Sequence, residues 1–142
     1  MLVTDRLSKE QIMTPNRILQ LNALSTAACA VGMLLTRGTL HPHFGLDTPL
    51  ALDILALGLL AYAGALVAAA RRQTVERPTL LAFTIADALW VAGSAAALML
   101  FWSQFTPVAR VLVIAVALAV EVFATLQYRA AGTIKARALG MA

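Results

Sequence analysis

The chain has 142 residues, of which 61% are hydrophobic and only 13% are charged, and its mean hydropathy is +0.81. Such a small number of charged residues cannot cover an apolar core of that size in water. The composition therefore excludes a water-soluble globular protein and indicates a lipid environment. The formal net charge of +4 does not indicate a nucleic-acid partner, because the basic residues flank apolar segments in the pattern that membrane topology produces.

Four apolar stretches, over residues 17–36, 49–70, 79–103 and 107–128, account for most of the chain. Each has about the 20 residues that a helix rising ~1.5 Å per residue needs to cross a hydrocarbon core of ~30 Å. None has the period-two alternation of a transmembrane β-strand. The sequence therefore predicts an all-α polytopic membrane protein, a single four-transmembrane-helix bundle with short cytoplasmic tails over residues 1–16 and 129–142.

The first predicted helix follows Thr14 and Pro15, where Thr14 is suited to cap the helix and Pro15 to its first turn. Residues 2–13 are predicted to form a short interfacial helix, with Ser8 and Gln11 as a capping box. The apolar segment is longer than the roughly 7 to 15 residues of a signal-peptide core, and acids accompany the bases before it. We therefore expect an anchor that is not cleaved.

The residue sets of enzymes and cofactor sites are missing from the sequence. His41 and His43 lie in the loop after the first predicted helix, and two imidazoles are too few to close a metal site. The predicted helices have no histidine for a haem, and the lone Cys29 has no helical histidine to activate it, so a packing role is favoured. We assign no catalytic residue, no metal and no cofactor, and an enzyme is the least favoured of the functional classes that the sequence leaves open.

Ionisable residues inside the apolar stretches are the main site candidates, because a charge at the bilayer centre costs roughly 2.5–3.5 kcal/mol. Asp53 lies near the start of the second stretch, where it can pair with Arg37 or Arg110. Asp87 lies ten residues beyond one basic boundary and Glu121 lies eight before another, which predicts that they share a depth and face the bundle interior. Two such carboxyls could share a proton.

Polar side chains on the other two helices are expected at the same depth. Asn22 with Ser25, and Asp87 with Trp90 and Ser94, follow helical spacing and should each form one inward face. The sequence therefore predicts an intramembrane polar cluster of Asn22, Tyr62, Asp87 and Glu121, with the secondary members Ser25, Trp90, Ser94 and Asp53.

A faint internal repeat joins the two halves of the chain. The segment Asn22-Ala23-Leu24-Ser25 matches Asp87-Ala88-Leu89-Trp90, which favours two tandem helical hairpins related by an axis along the membrane normal. Small-xxx-small pairs suit close helix packing within the bundle, or contact with a second copy or another membrane protein. These pairs are Ala28 with Gly32, Gly64 with Ala68, and Gly93 with Ala97.

The basic residues predict the orientation of the chain. All but two of the 11 lie before the first helix, between the second and third, or after the fourth. Only Arg37 and Arg110 belong to the other side, so the positive-inside rule puts both termini and the middle loop in the cytoplasm.

At residues 22–25 and 87–94 the chain resembles small bacterial four-helix inner-membrane proteins of uncharacterised activity. The resemblance implies a multi-pass protein of the bacterial inner membrane and transfers no catalytic residue. Small multidrug transporters are also compact four-helix chains, but their essential glutamate belongs in the first helix, where this chain has Asn22.

Two functions follow as hypotheses. The first is a non-enzymatic accessory or scaffold subunit of a membrane assembly, favoured by short loops and small-residue faces. The alternative is an oligomeric proton-coupled small-solute transporter or proton relay that uses Asp87 and Glu121. Besides the lipid bilayer, the expected partner is a second copy or another membrane protein.

Overall fold

The computed structural model describes residues 13–140, which form four long helices joined by short connections. Each helix is long and apolar enough to cross a membrane, so the chain is a polytopic helical membrane protein. The helices pack as two hairpins, the first with the second and the third with the fourth, which confirms the predicted fold class. They are α1 (Pro15–Leu40), α2 (Leu50–Ala70), α3 (Arg77–Leu100) and α4 (Pro107–Ala138).

Two helices begin with the same N-cap sequence, a threonine followed by a proline. The hydroxyl of Thr14 accepts a hydrogen bond from the backbone N–H of Arg17 at 3.4 Å, and Pro15 follows in the first turn of α1, as predicted. Thr106 caps α4 in the same way by accepting from the N–H of Ala109 at 3.4 Å. The interfacial helix predicted for residues 2–13 lies, apart from its last residue, outside the described part of the chain.

The fourth helix continues well past residue 128, where the sequence predicted a cytoplasmic tail. It runs to Ala138, because one face of the added segment finds apolar neighbours: Ala131 is buried and Ile134 packs against the same core as Leu66. The first helix is also longer than predicted and ends at Leu40. The extension of α4 changes the depth in the bundle that is inferred for every residue of that helix.

One end of the bundle is tightly packed. We call it the basic end; α1 and α3 begin there, and α2 and α4 end there. The amide nitrogen of Asn16 donates to the backbone oxygens of Ala70 and Arg72, both at 2.9 Å, which ties the start of α1 to the end of α2. The buried core at this end comprises Leu19, Ala23, Leu66, Ala69, Ala70, Val75, Leu80 and Ala131.

The opposite end, which we call the histidine end, is closed by the two hairpin loops. A 3-10 turn over His41–Phe44 follows α1, and Gly45 with φ of 67° ends it. The backbone N–H of Thr106 donates to the oxygen of His43 at 2.9 Å, and the His43 ring nitrogen Nδ1 lies 3.0 Å from the Thr106 hydroxyl. Phe44 packs edge-on against Phe105. The loops thereby hold the two hairpins together at this end.

Candidate functional site

The carboxyl group of Asp87 on α3 lies at the centre of the bundle and is only 3% exposed. Its Oδ1 accepts a hydrogen bond from the Tyr62 hydroxyl on α2 at 2.7 Å. Its Oδ2 accepts from Asn22 Nδ2 on α1 at 2.9 Å and from Gln127 Nε2 on α4 at 3.0 Å. Each helix therefore contributes one side chain to a single hydrogen-bonded group, which we call the polar layer.

The polar layer suits an ionised carboxyl group, because a carboxylate only accepts hydrogen bonds and here receives three from neutral donors. Within residues 13–140 the one ion pair joins Arg37 to Asp53 at 2.9 Å, far from this group in the fold. The described side chains therefore give Asp87 dipoles but no positive charge.

Further contacts orient the donors. The Thr26 hydroxyl donates to Asn22 Oδ1 at 3.2 Å, one turn along α1, which leaves the amide nitrogen of Asn22 directed at Asp87. The ring of Tyr62 packs edge-on against Phe83, with centroids 5.7 Å apart. These contacts hold the donors of α1 and α2 in place.

The structure brings together three of the four residues of the predicted cluster, Asn22, Tyr62 and Asp87, but not Glu121. Glu121 lies on an exposed side of α4, six residues before Gln127 and so about 9 Å nearer the histidine end at ~1.5 Å per residue. The expected shared depth assumed that Arg129 marks the basic boundary of α4. Because the helix continues to Ala138, Arg129 lies only two residues beyond the polar layer, whereas Arg77 lies ten residues from Asp87.

Gln127 is the member that sequence reasoning missed, although the repeat contains the signal for it. Asn22 and Asp87 are 65 residues apart, and Tyr62 and Gln127 have the same separation. The polar layer therefore consists of two repeat-equivalent pairs, one on the first helices of the hairpins and one on the second helices. Gln127 is uncharged, so it is not among the ionisable groups that mark candidate sites within apolar helices.

Two open pockets occupy the half of the bundle between the polar layer and the histidine end. The smaller has a volume of about 350 Å³ and is lined by Asn22, Tyr62 and Asp87 among mainly apolar side chains. The larger, about 850 Å³, reaches His43 and Phe44 in the loop. The two pockets share the wall residues Cys29, Leu55, Trp90 and Val116.

The secondary residues of the sequence hypothesis divide between the pockets and the surface. Ser25 lines the smaller pocket, Ser94 the larger and Trp90 both. The indole N–H of Trp90 is buried and has no acceptor among the described residues. The buried Gln127 Oε1 likewise has no donor among them. Asp53 lies outside both pockets in its ion pair with Arg37.

Small residues create space in this bundle. Gly32, Gly93 and Ala97, which belong to the predicted small-xxx-small pairs, line the larger pocket, whereas Gly64 and Ala68 are exposed on α2. A Cβ added to Gly32 or Gly93 would meet no atom within 4 Å. These residues therefore leave the interior of the histidine half unfilled.

The arrangement places one buried carboxyl group beside open volume in mainly apolar surroundings. Among the described residues no group of three or more histidine, cysteine, aspartate and glutamate side chains is placed to hold a metal ion. Comparison of the chain with protein-family models, with curated proteins and with solved structures finds no match.

Proposed function

We propose that this protein binds a small molecule with an apolar body inside the membrane, and that this binding serves transport. The observation that carries the proposal is the contrast between the two halves of the bundle. A buried core fills the basic end, whereas two pockets occupy the other half. A bundle with a purely structural role gains stability from close packing throughout its interior, so unfilled space beside a buried carboxyl group supports a ligand site.

The organisation into two hairpins supports the transport of the bound molecule. Contacts within each hairpin are far denser than contacts between them, which run mainly between α1 and α4. Transporters built from two repeats move one repeat against the other around a site at their interface. The polar layer occupies such an interface, because Asn22 and Tyr62 belong to one hairpin and Asp87 and Gln127 to the other. Glu121 has no part in the proposal, since it lies outside the polar layer.

Two glycines of α2 offer a matched test of binding. An added Cβ at Gly58 or at Gly64 meets no atom within 4 Å, but only Gly58 lines the smaller pocket. The Gly58→Leu variant should therefore fill the pocket without disturbing the fold, and Gly64→Leu makes the same change outside it. With Trp102→Phe as the common background, Trp90 is the single tryptophan and lines both pockets.

The measurement is the Trp90 emission of these chains in lipid nanodiscs as neopentylbenzene, a neutral apolar probe, is added. We expect a saturable change in the background chain and in Gly64→Leu, and only the unsaturable effect of lipid partitioning in Gly58→Leu. An equal response of the two leucine variants, or no saturable response in the background chain, would contradict binding in the pocket.

The accessory-subunit role remains a second candidate, and the polar layer itself favours it. One carboxyl group hydrogen-bonded to all three other helices is an effective way to hold a bundle together. An accessory subunit has no need of a vacant pocket, however. A cellular phenotype that survives Gly58→Leu would therefore favour this role over transport.

A further inference from the structure

We infer that the ligand is an organic cation, an ammonium group on an apolar body, bound with its positive charge beside Asp87. The inference rests on the proposed function and names the chemical class of molecule that the same pocket accepts. It depends on three features of the pocket, namely its charge, its aromatic side chains and its apolar extension.

The hydrogen bonds that Asp87 accepts suit a negative charge in the pocket, and no lysine or arginine among the lining residues compensates it. Asp87 lines the smaller pocket, and its three hydrogen-bond donors are all neutral. None of the lysine or arginine side chains of the described residues lines either pocket. Carboxylates in apolar surroundings are ordinarily paired with a cation, because dipoles alone offset only part of the lost hydration. A ligand with one positive charge completes this site, whereas an anion meets like charge.

The aromatic side chains of the pocket favour an ammonium ion in particular. Tyr62, Trp90 and Phe123 line the smaller pocket together with Asp87. Aromatic faces attract alkylammonium groups through the ring quadrupole, and this attraction grows where water is excluded. A small, strongly hydrated metal ion gains less there, because the pocket has few oxygen ligands to replace its water.

The apolar walls specify the remainder of the ligand. Beyond the polar layer the smaller pocket is walled by side chains such as Ile54, Leu59 and Val120, and it shares walls with the larger pocket. The volume of the smaller pocket, about 350 Å³, lies within the range of pockets that bind small ligands. The geometry therefore fits a hydrophobic body that lies toward the histidine end and a cationic head at Asp87.

The test compares two probes that differ only in charge. Benzyltrimethylammonium and neopentylbenzene have the same shape, with a quaternary nitrogen in one and a quaternary carbon in the other. Their affinities are measured by Trp90 emission in nanodiscs for the Trp102→Phe chain and for Asp87→Asn and Glu121→Gln in that background. Glu121→Gln is the matched control, because it also removes one intramembrane carboxyl group but alters a residue that lines neither pocket.

We expect the background chain to bind the cation at least about tenfold more tightly than the neutral probe. Asp87→Asn should remove this preference and leave the affinity for neopentylbenzene within about twofold, which shows that the pocket is still folded. Glu121→Gln should retain the preference. In proteoliposomes, uptake of radiolabelled benzyltrimethylammonium should likewise require Asp87 and not Glu121.

Each contrary result has a distinct meaning. If neopentylbenzene binds saturably but the cation binds no better, or if Asp87→Asn retains the preference, the inference is overturned and the proposed pocket stands. If neither probe binds the background chain, the proposed function fails as well. Saturable cation binding without uptake would confirm the ligand class and remove transport from the proposal.

Discussion

Asn22 and Asp87, which occupy matching positions in the two halves of the chain, hydrogen-bond to each other across the bundle at 2.9 Å. The two residues lie on the first helices of the two hairpins, and their side chains meet at the interface between the hairpins. The second helices contribute the other matching pair, Tyr62 and Gln127, and both donate to the same carboxyl group. The four matching positions thus form one hydrogen-bonded group while differing in chemistry, since only one of them carries an acid.

Asp87 should be a major determinant of the stability of the bundle. Asp87→Leu leaves the buried amide nitrogens of Asn22 and Gln127 without their acceptor, and leaves the Tyr62 hydroxyl only the Phe83 backbone oxygen at 3.5 Å. It should lower the free energy of unfolding by about 2 kcal/mol or more. Asp87→Asn retains the size of the side chain and one acceptor oxygen, so its cost should stay below about 1 kcal/mol. Thermal and denaturant unfolding in mild detergent measures both. Glu121→Leu, at an exposed position, serves as the control and should be neutral or stabilising; a similar loss in both leucine variants would contradict this account.

The hydroxyl of Tyr62 should be worth a measurable part of that stability. Tyr62→Phe removes only the donor that lies 2.7 Å from Asp87 and keeps the ring against Phe83. Hydrogen bonds between membrane helices contribute about 0.6 kcal/mol on average and up to about 1.7 kcal/mol, and a bond to a carboxylate should lie at the upper end. Tyr128→Phe is the matched control, because Tyr128 is 65% exposed on α4. Equal unfolding midpoints for the two variants would show that the bond contributes nothing.

The sequence identified the polar layer in part because polar residues in apolar helices are conspicuous. Asn22, Tyr62 and Asp87 could be placed at one depth by counting from nearby basic residues. The same counting failed on α4, because exposed Arg129 lies well inside the helix, which continues to Ala138, and a long arginine side chain can reach the interface from there. Helix length, which the packing of the segment after residue 128 decides, was therefore needed to distinguish Glu121 from Gln127.

The pockets could not be predicted from the sequence. Gly93 and Ala97 are the kind of residue that allows two helices to approach closely, and only the packing of all four helices determines whether a neighbour fills that space. In this bundle the loops tie the hairpins at one end and the core ties them at the other, and between these ties the small residues line open volume. A periodic pattern in one helix contains no information about that distance.

Orientation remains a prediction of the charge distribution. Asp47 in the first loop and Gln73 in the second are both exposed, so a cysteine at either position is open to labelling in a Cys29→Ala chain. A membrane-impermeant maleimide added to intact bacterial cells should label Asp47→Cys at once and Gln73→Cys only after lysis, because the basic residues favour the cytoplasmic side. The opposite labelling order would reverse the assignment, and equal labelling of both would indicate a mixed topology.

Exchange of the two residues that join the hairpins tests whether their positions are equivalent. In the double variant Asn22→Asp with Asp87→Asn, the new carboxyl group at position 22 can accept from Thr26 and from the new amide at position 87. That amide oxygen can still accept from Tyr62, and its nitrogen can donate to Gln127 Oε1, which has no donor among the described residues. Gln127 Oε1 gains a donor as Gln127 Nε2 loses its acceptor, so the number of unpaired groups in the polar layer is the same as in the native chain, and we expect stability within about 1 kcal/mol of it. Asn22→Asp alone places two carboxyl groups in contact and should cost more than about 2 kcal/mol.

Unfolding of the native chain, both single variants and the double variant gives the coupling free energy, which should be at least about 1 kcal/mol in favour of the exchange. Additive effects of the two substitutions would mean that the hairpins present different surroundings to these positions, and the repeat would then describe helix order without describing the site.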